Sequence, residues 1–174
     1  MRFSKLLRGI FKRRLSVEEE RLINQYLDEA GKFLFFQMNR VDQCHALSVA
    51  KTLLKTAGYQ DGIDLKLLVT AGLLHDVGKV EGDLNFWSRI AAGLVRRIKP
   101  AWREKYGREG QNNFWSRICH GFYVDLVHPA RGSYMAQSLG IEKGVVELIR
   151  HHHDPLVQGQ SRELAWLQAA DNKN

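Results

Sequence analysis

Cysteine is scarce in this chain: Cys44 and Cys119 are the only two, and neither belongs to a C-x-x-C pair. Two thiols in 174 residues do not make the disulfide framework of a small secreted domain, so a cytoplasmic, reducing compartment is expected. The same count excludes a closed cysteine zinc site. Long hydrophobic runs are missing too. The most apolar stretch, from Leu65 to Leu74, is interrupted by Lys66 and ends in His75 and Asp76, short of the roughly 20 apolar residues that span a bilayer. Period-two alternation is sustained nowhere, which argues against a sheet. Gly62, Gly72 and Gly82 form no GxxxxGK[ST] pattern, so there is no P-loop to cradle phosphates. Acidic residues are outnumbered, 19 against 26 Lys and Arg. The net charge of +7 favours acidic partners, whether nucleotides, nucleic acid or anionic lipid, without choosing among them.

What is present is helical periodicity, in a chain whose length suits one domain. Residues 1–15 form a basic amphipathic N-terminal segment in which Phe3, Leu6, Leu7 and Ile10 recur at helical spacing among Arg2, Lys5, Arg8 and Lys12. It has no secretory leader's uncharged core. It can lie on an anionic membrane surface or pack on its own domain. From residue 16 onward, Ser16 and Glu19 make a capping box that opens a helix expected to run to Met38. Asp42 is expected to cap a second helix, carrying His45 and ending at Gly58, and Asp64 a third. That third helix, apolar nearly all round, should sit centrally, with Gly78 stopping it. Pro129 suits the first turn of a helix reaching Leu139, residues 141–153 make another before Pro155, and Ser161 caps the last. The sum is an all-α bundle.

Residues 81–125 differ in character, with tryptophans 87, 102 and 115 set among many arginines and lysines. The hexapeptide NFWSRI occurs there twice, at 85–90 and 113–118, and suggests two similar amphipathic turns. Pro100 is expected to break this helical insert into a hairpin, with Gly107 and Gly110 in its loop. It serves either as a cap over the core or as a lid or membrane-surface platform, since tryptophan and arginine suit headgroups, bases and phosphates alike.

The chemistry-bearing residues are His45, the run His75-Asp76-Val77-Gly78-Lys79, His128-Pro129, His152-His153-Asp154 and Asp171. Any one histidine on an apolar helix is more often a hydrogen-bonded core residue than a ligand. Together, imidazoles and carboxylates without thiolates suit iron, manganese, zinc, cobalt or nickel. His75 and Asp76 project roughly 100° apart on a helix, so they share a site only if other helices close around them. His45 and Asp171 can complete a four-ligand set that leaves coordination positions open, as catalysis requires.

This ordered set, H…HDVGK…HPARG…HHHD…D over about residues 41–171, resembles the HD superfamily of metal-dependent phosphohydrolases. The resemblance implies an all-α HD-domain bundle in which His45, His75, Asp76 and Asp171 bind a divalent metal. The stretch from His128 to Asp154 is further similar to the binuclear branch that includes HD-GYP phosphodiesterases. That similarity adds His128, His152 and His153 as ligands of a second ion, bridged by Asp76. The spacing favours His152-His153 over His151-His152, and leaves His120 a structural histidine. Two departures stand out. Nothing after Asp154 matches the GYP signature, and the acidic residue that some binuclear members place four positions before the first histidine is replaced by Val41, with Asp42 out of register.

The expected function is hydrolysis of a phosphate mono- or diester, of a nucleotide or related small molecule, by a metal-activated water. In this scheme Asp76 bridges the ions and orients the water, and Lys79 contacts substrate as an ammonium that binds a phosphate oxygen or assists the leaving group. Asp154 holds a ligand histidine in its working tautomer. The alternative is a non-catalytic metal- or nucleotide-binding sensor, associated with a membrane surface through the N-terminal segment or the insert. Nucleic-acid binding would rest on charge and aromatics alone, with no motif behind it.

Overall fold

The computed structural model describes residues 14–58, 60–84, 86–99, 101–155 and 161–174, apart from the side chains of Phe86 and Arg97. The basic segment 1–15 therefore lies almost wholly outside the described residues, as do Asn85, Pro100 and the stretch 156–160. Among the described residues there are nine helices and no strand, with a single isolated bridge between Met38 and Val80. In order they are α1 (Val17–Tyr26), α2 (Glu29–Gln37), α3 (Arg40–Ala57), α4 (Leu65–Leu74), α5 (Phe86–Ile98), α6 (Ala101–Tyr106), α7 (Phe114–Ser138), α8 (Lys143–His151) and α9 (Arg162–Lys173). Among the described residues no helix is long and apolar enough to cross a membrane.

Ser16 and Glu19 do make a reciprocal capping box, at 2.9 and 3.2 Å. The helix that follows is not continuous to Met38, however. Leu27 is extended (φ −113°, ψ 129°), and Asp28 caps a new helix by accepting from the Gly31 amide at 2.8 Å. The Thr70 hydroxyl of α4 donates to the Tyr26 carbonyl that the break frees. Apolar spacing runs on through the break because Leu27 stays buried. A second correction falls on α3, which Asn39 caps by accepting from the amides of Val41 and Asp42. Asp42 stands in the first turn, one turn before His45, and is free to point elsewhere.

Helix α4 is central as expected, with Leu68, Val69, Ala71, Leu73 and Leu74 all excluded from solvent and α1, α2, α3, α8 and α9 packed around it. Each fully buried leucine contributes roughly 2 kcal/mol of apolar burial. The helix ends at His75, three residues before Gly78. What Gly78 provides is close approach, since a Cβ there would stand 2.0 Å from the His128 carbonyl oxygen and 2.8 Å from the Gly132 amide. The segment after the His-Asp doublet is thereby pressed onto α7.

Pro129 opens no helix; it lies inside the 25-residue α7, which starts in the insert at Phe114 and runs to Ser138. The two NFWSRI copies mark the starts of α5 and α7. In the second, Asn113 and Ser116 cap each other reciprocally, both at 2.8 Å. Helices α5 and α6 pack on α7, with Ser88 buried against Gly121. Arg89 and Arg96 lie seven residues apart, two turns of one face, on the side of Ser88 and Ala92 that faces the protein.

Candidate metal centre

Five helices deliver the chemistry-bearing side chains to one place. His45 comes from α3, His75 and Asp76 from the end of α4, His128 from the middle of α7, His152 and His153 from the end of α8 and Asp171 from the last turn of α9. Two groups have ligand atoms within 4.8 Å of one another: His45, His75 and Asp76, and His128, His152 and His153. The two aspartates span them. Asp76 places Oδ2 3.7 Å from His75 Nε2 and Oδ1 3.2 Å from His128 Nε2. Asp171 places Oδ1 2.8 Å from His45 Nε2 and 3.7 Å from His75 Nε2, with Oδ2 3.8 Å from His153 Nε2.

Backbone carbonyls set the direction in which three of the imidazoles point. Nδ1 of His75 faces Gly72 O at 2.9 Å, Nδ1 of His152 faces Ile149 O at 2.7 Å, and Nδ1 of His128 faces Asp125 O at 3.0 Å. A nitrogen facing a carbonyl carries the proton, so each Nε2 turns a lone pair into the cluster. The Asp125 carbonyl is open because Pro129, four residues on, has no N–H to give it. The HP dipeptide is thus a small device in which the proline vacates the acceptor that orients the histidine before it.

Among the described residues these lone pairs have no protein donor to meet. His75 Nε2 is buried with no hydrogen-bond partner, and His128 Nε2 lies 3.2 Å from His152 Nε2, two acceptors face to face. Asp76 Oδ1 has Lys79 Nζ at 2.7 Å, an ion-pair distance, yet no donor is aligned with it for a hydrogen bond. Unmet buried acceptors of this kind are costly, and a cation between them satisfies them all. The donor set therefore fits a divalent metal.

The electrostatics agree. Burial holds His128 down at about 4, helped by the Lys79 ammonium and only partly opposed by Asp76. Burial, with His153 and His128 beside it, keeps His152 well below the ordinary imidazole value. Both are neutral imidazoles at physiological pH. Burial pushes the Asp76 carboxyl up, but Lys79, His75 and His128 outweigh it and hold it well below the usual range. Burial likewise opposes the charged form of Asp171, and the bonds from His153, His45 and His75 overcome it.

Lys79 is no solvated surface residue. Its side chain is 13% exposed and paired with Asp76. Burial lowers the ammonium's pKa, but the carboxylates of Asp76, Asp42 and Asp125 more than restore it, so the charge is kept.

Further residues at the site escaped the sequence reading. Asp42 is buried and held by a bidentate pair with Arg89, at 2.5 and 2.8 Å. Arg96 Nη1 lies 2.8 Å from His153 Nε2, and Asp125 is held by Arg103 at 2.5 Å. The available signal was the seven-residue step from Arg89 to Arg96 on the helix face of Ser88 and Ala92.

The expected partner of Asp154 is not found. Its carboxylate bonds His151 at 2.6 Å, a histidine outside the cluster that also faces Glu147, so the tautomers of His75, His128 and His152 are held by the backbone instead. His120 belongs to neither group; its Nδ1 accepts from the Gly110 amide at 3.3 Å.

Comparison with known proteins gives a single clear result. No curated protein and no solved structure matches the chain. The family model described as HD domain matches residues 43–173, most of the chain and every residue of the cluster. The chain belongs to the HD domain family, whose members are in general metal-dependent phosphohydrolases.

Proposed function

We propose that the chain hydrolyses a phosphate mono- or diester of a nucleotide or related small molecule, using two divalent ions held by the two groups and bridged by Asp76. The observation that carries this reading is the pair of neutral, inward-facing Nε2 atoms of His128 and His152, 3.2 Å apart beside Asp76 Oδ1. Divalent ions bound there supply an activated water and neutralise phosphoryl oxygens. His45, His75, Asp76 and Asp171 would hold one ion; His128, His152, His153 and Asp76 would hold the other.

The remaining roles fall to the cationic side chains beside the cluster. Lys79, pinned by Asp76, presents an ammonium at a fixed point, where it binds a phosphoryl oxygen or stabilises the departing oxygen. Arg96, beside His153 and partly exposed, is the guanidinium placed to take a second phosphate oxygen. The Asp42–Arg89 pair anchors the helix that carries Arg96.

The test is metal analysis of the purified protein, followed by turnover with manganese, iron, cobalt, nickel or zinc on an aryl phosphate, a bis-aryl phosphodiester and a nucleotide panel. Two ions per chain and turnover that Asp76→Ala abolishes are expected. Full metal occupancy with no hydrolysis of any substrate sinks the enzyme reading and favours a metal-binding sensor.

A further inference from the structure

Helix α5 is amphipathic in the reverse of the usual sense. Its polar side, with Ser88, Arg89 and Arg96, faces the protein, while Trp87, Leu94 and Ile98 form a stripe on the side facing away. Leu94 is 56% exposed and Ile98 66%, whereas Ser88 and Ala92 on the other side are 1% and 4% exposed. The steps of seven and four residues keep the three apolar side chains in line. Trp102, at the start of α6, extends this surface; it is 45% exposed, with the Lys99 ammonium 4.6 Å from its ring centre.

We infer that this outer face of α5 and α6 is an interfacial surface that seats the protein on an anionic lipid bilayer. Charge selects the occupant. Arg89, Arg96 and Arg103 turn inward onto Asp42, His153 and Asp125, but Lys99, Lys105, Arg108 and Arg117 are exposed, against the exposed Glu104 and Glu109. Lys99 is exposed beside Trp102, and Lys105 is exposed beside Tyr106 on the next helix. Apolar anchors flanked by lysines whose stems can lie along the headgroups are what an anionic interface accepts. The core of a protein–protein contact is depleted of lysine, which disfavours a second copy. The chain's own segment 1–15, itself strongly basic, would be repelled from this face. The inference is independent of turnover, because none of the residues it uses belongs to the histidine and aspartate groups.

Full-length protein is to be co-sedimented with vesicles of phosphatidylcholine alone and of phosphatidylcholine mixed with phosphatidylglycerol, at low and high salt. Binding to the anionic vesicles should be at least about tenfold tighter and should weaken with salt. The Leu94→Ser/Ile98→Ser variant should lose roughly tenfold or more of that binding, with unchanged thermal melting and metal content. Lys99→Gln/Lys105→Gln, placed at exposed positions, should lose the anionic preference, and it decides the matter should the first variant melt early. Equal binding to both vesicle types overturns the inference. So does undiminished binding by the stripe variant, which would assign the membrane contact to another part of the chain. A dimer that the stripe variant converts to monomer, without vesicle binding by the parent, would give the face to a second copy.

Discussion

Gly78 lies against the main chain of His128 so closely that a β-carbon at position 78 would stand 2.0 Å from the His128 carbonyl oxygen. The contact joins the loop after the His-Asp doublet to the helix that carries the other group's first histidine. It sits two residues from Asp76, which faces both groups. Gly78→Ala must therefore push α7 away, against backbone that cannot yield as a flexible side chain would. We expect a loss of about 3 kcal/mol in stability and a fall in metal content, measured by urea unfolding and by metal analysis of the same preparation. An alanine variant with unchanged midpoint and full occupancy would show that the two segments move independently.

Pro129→Ala separates the stability of α7 from the chemistry of His128. Alanine restores an N–H aimed at the Asp125 carbonyl, so helix stability should rise by up to roughly 3 kcal/mol. That N–H competes with His128 Nδ1 for the same oxygen, leaving the weaker contact to Val124 O at 3.2 Å. Metal affinity should drop about tenfold, the usual cost of losing an outer partner of a ligand histidine. Titration with a competing chelator reads the affinity. Unchanged affinity in a stabilised protein would remove the proline's proposed role.

The buried pair of Asp42 and Arg89 ties α5 to α3. Arg89→Met should cost about 3–5 kcal/mol by stranding a buried carboxylate, while Asp42→Leu with Arg89→Met should regain most of it. Burial already raises the Asp42 carboxyl above its ordinary value despite Arg89, so the single variant should recover partially as pH falls and Asp42 takes up a proton. A double-mutant cycle by chemical denaturation measures the coupling. A coupling near zero would mean that α5 is held by its apolar contacts with α7 alone.

Acid should weaken the metal-free protein in a window set by its histidines. His128 has a folded value of about 4 against an ordinary 6.5, so the folded state binds fewer protons and stability falls as pH drops from 6.5 towards 4. This single group accounts for about 3 kcal/mol across the window, and His152 acts in the same direction. His75 acts oppositely: burial lowers it but Asp76 and Asp171 raise it above 6.5, so its contribution is present in acid and lost as pH rises. Asp76 and Asp171, held below the ordinary 3.8, lose their contributions only in stronger acid. Unfolding free energies at about pH 7 and about pH 4.5 should show the loss, and His128→Gln should reduce it. A flat profile in the parent protein would contradict the burial of these imidazoles.

Much of the helical order was legible in local chemistry. Ser16, Asp64 and Ser161 cap helices where the sequence places them, because a short side chain reaching an amide three residues on needs no tertiary context. The same rule holds at Asp28, but buried Leu27 keeps the apolar rhythm intact across the break and so hides it. It fails at Asp42, because Asn39 takes the amides at that helix start. Intrinsic preference puts Pro129 at a helix start, whereas the structure carries α7 straight through it, packed against Gly78.

The residue types, their order along the chain and the apolar character of α4 were set by the sequence alone, and with them the all-α class and the identity of the clustered histidines and aspartates. Which atoms face which was decided only in three dimensions. The inward turn of Nε2 at His75, His128 and His152 is set by carbonyls three residues back on each one's own helix, but the two-sided reach of Asp76 and Asp171 and the inward arginines of α5 depend on partners from distant helices. Local periodicity can place a side chain on a face of its own helix, but what that face meets is determined by packing.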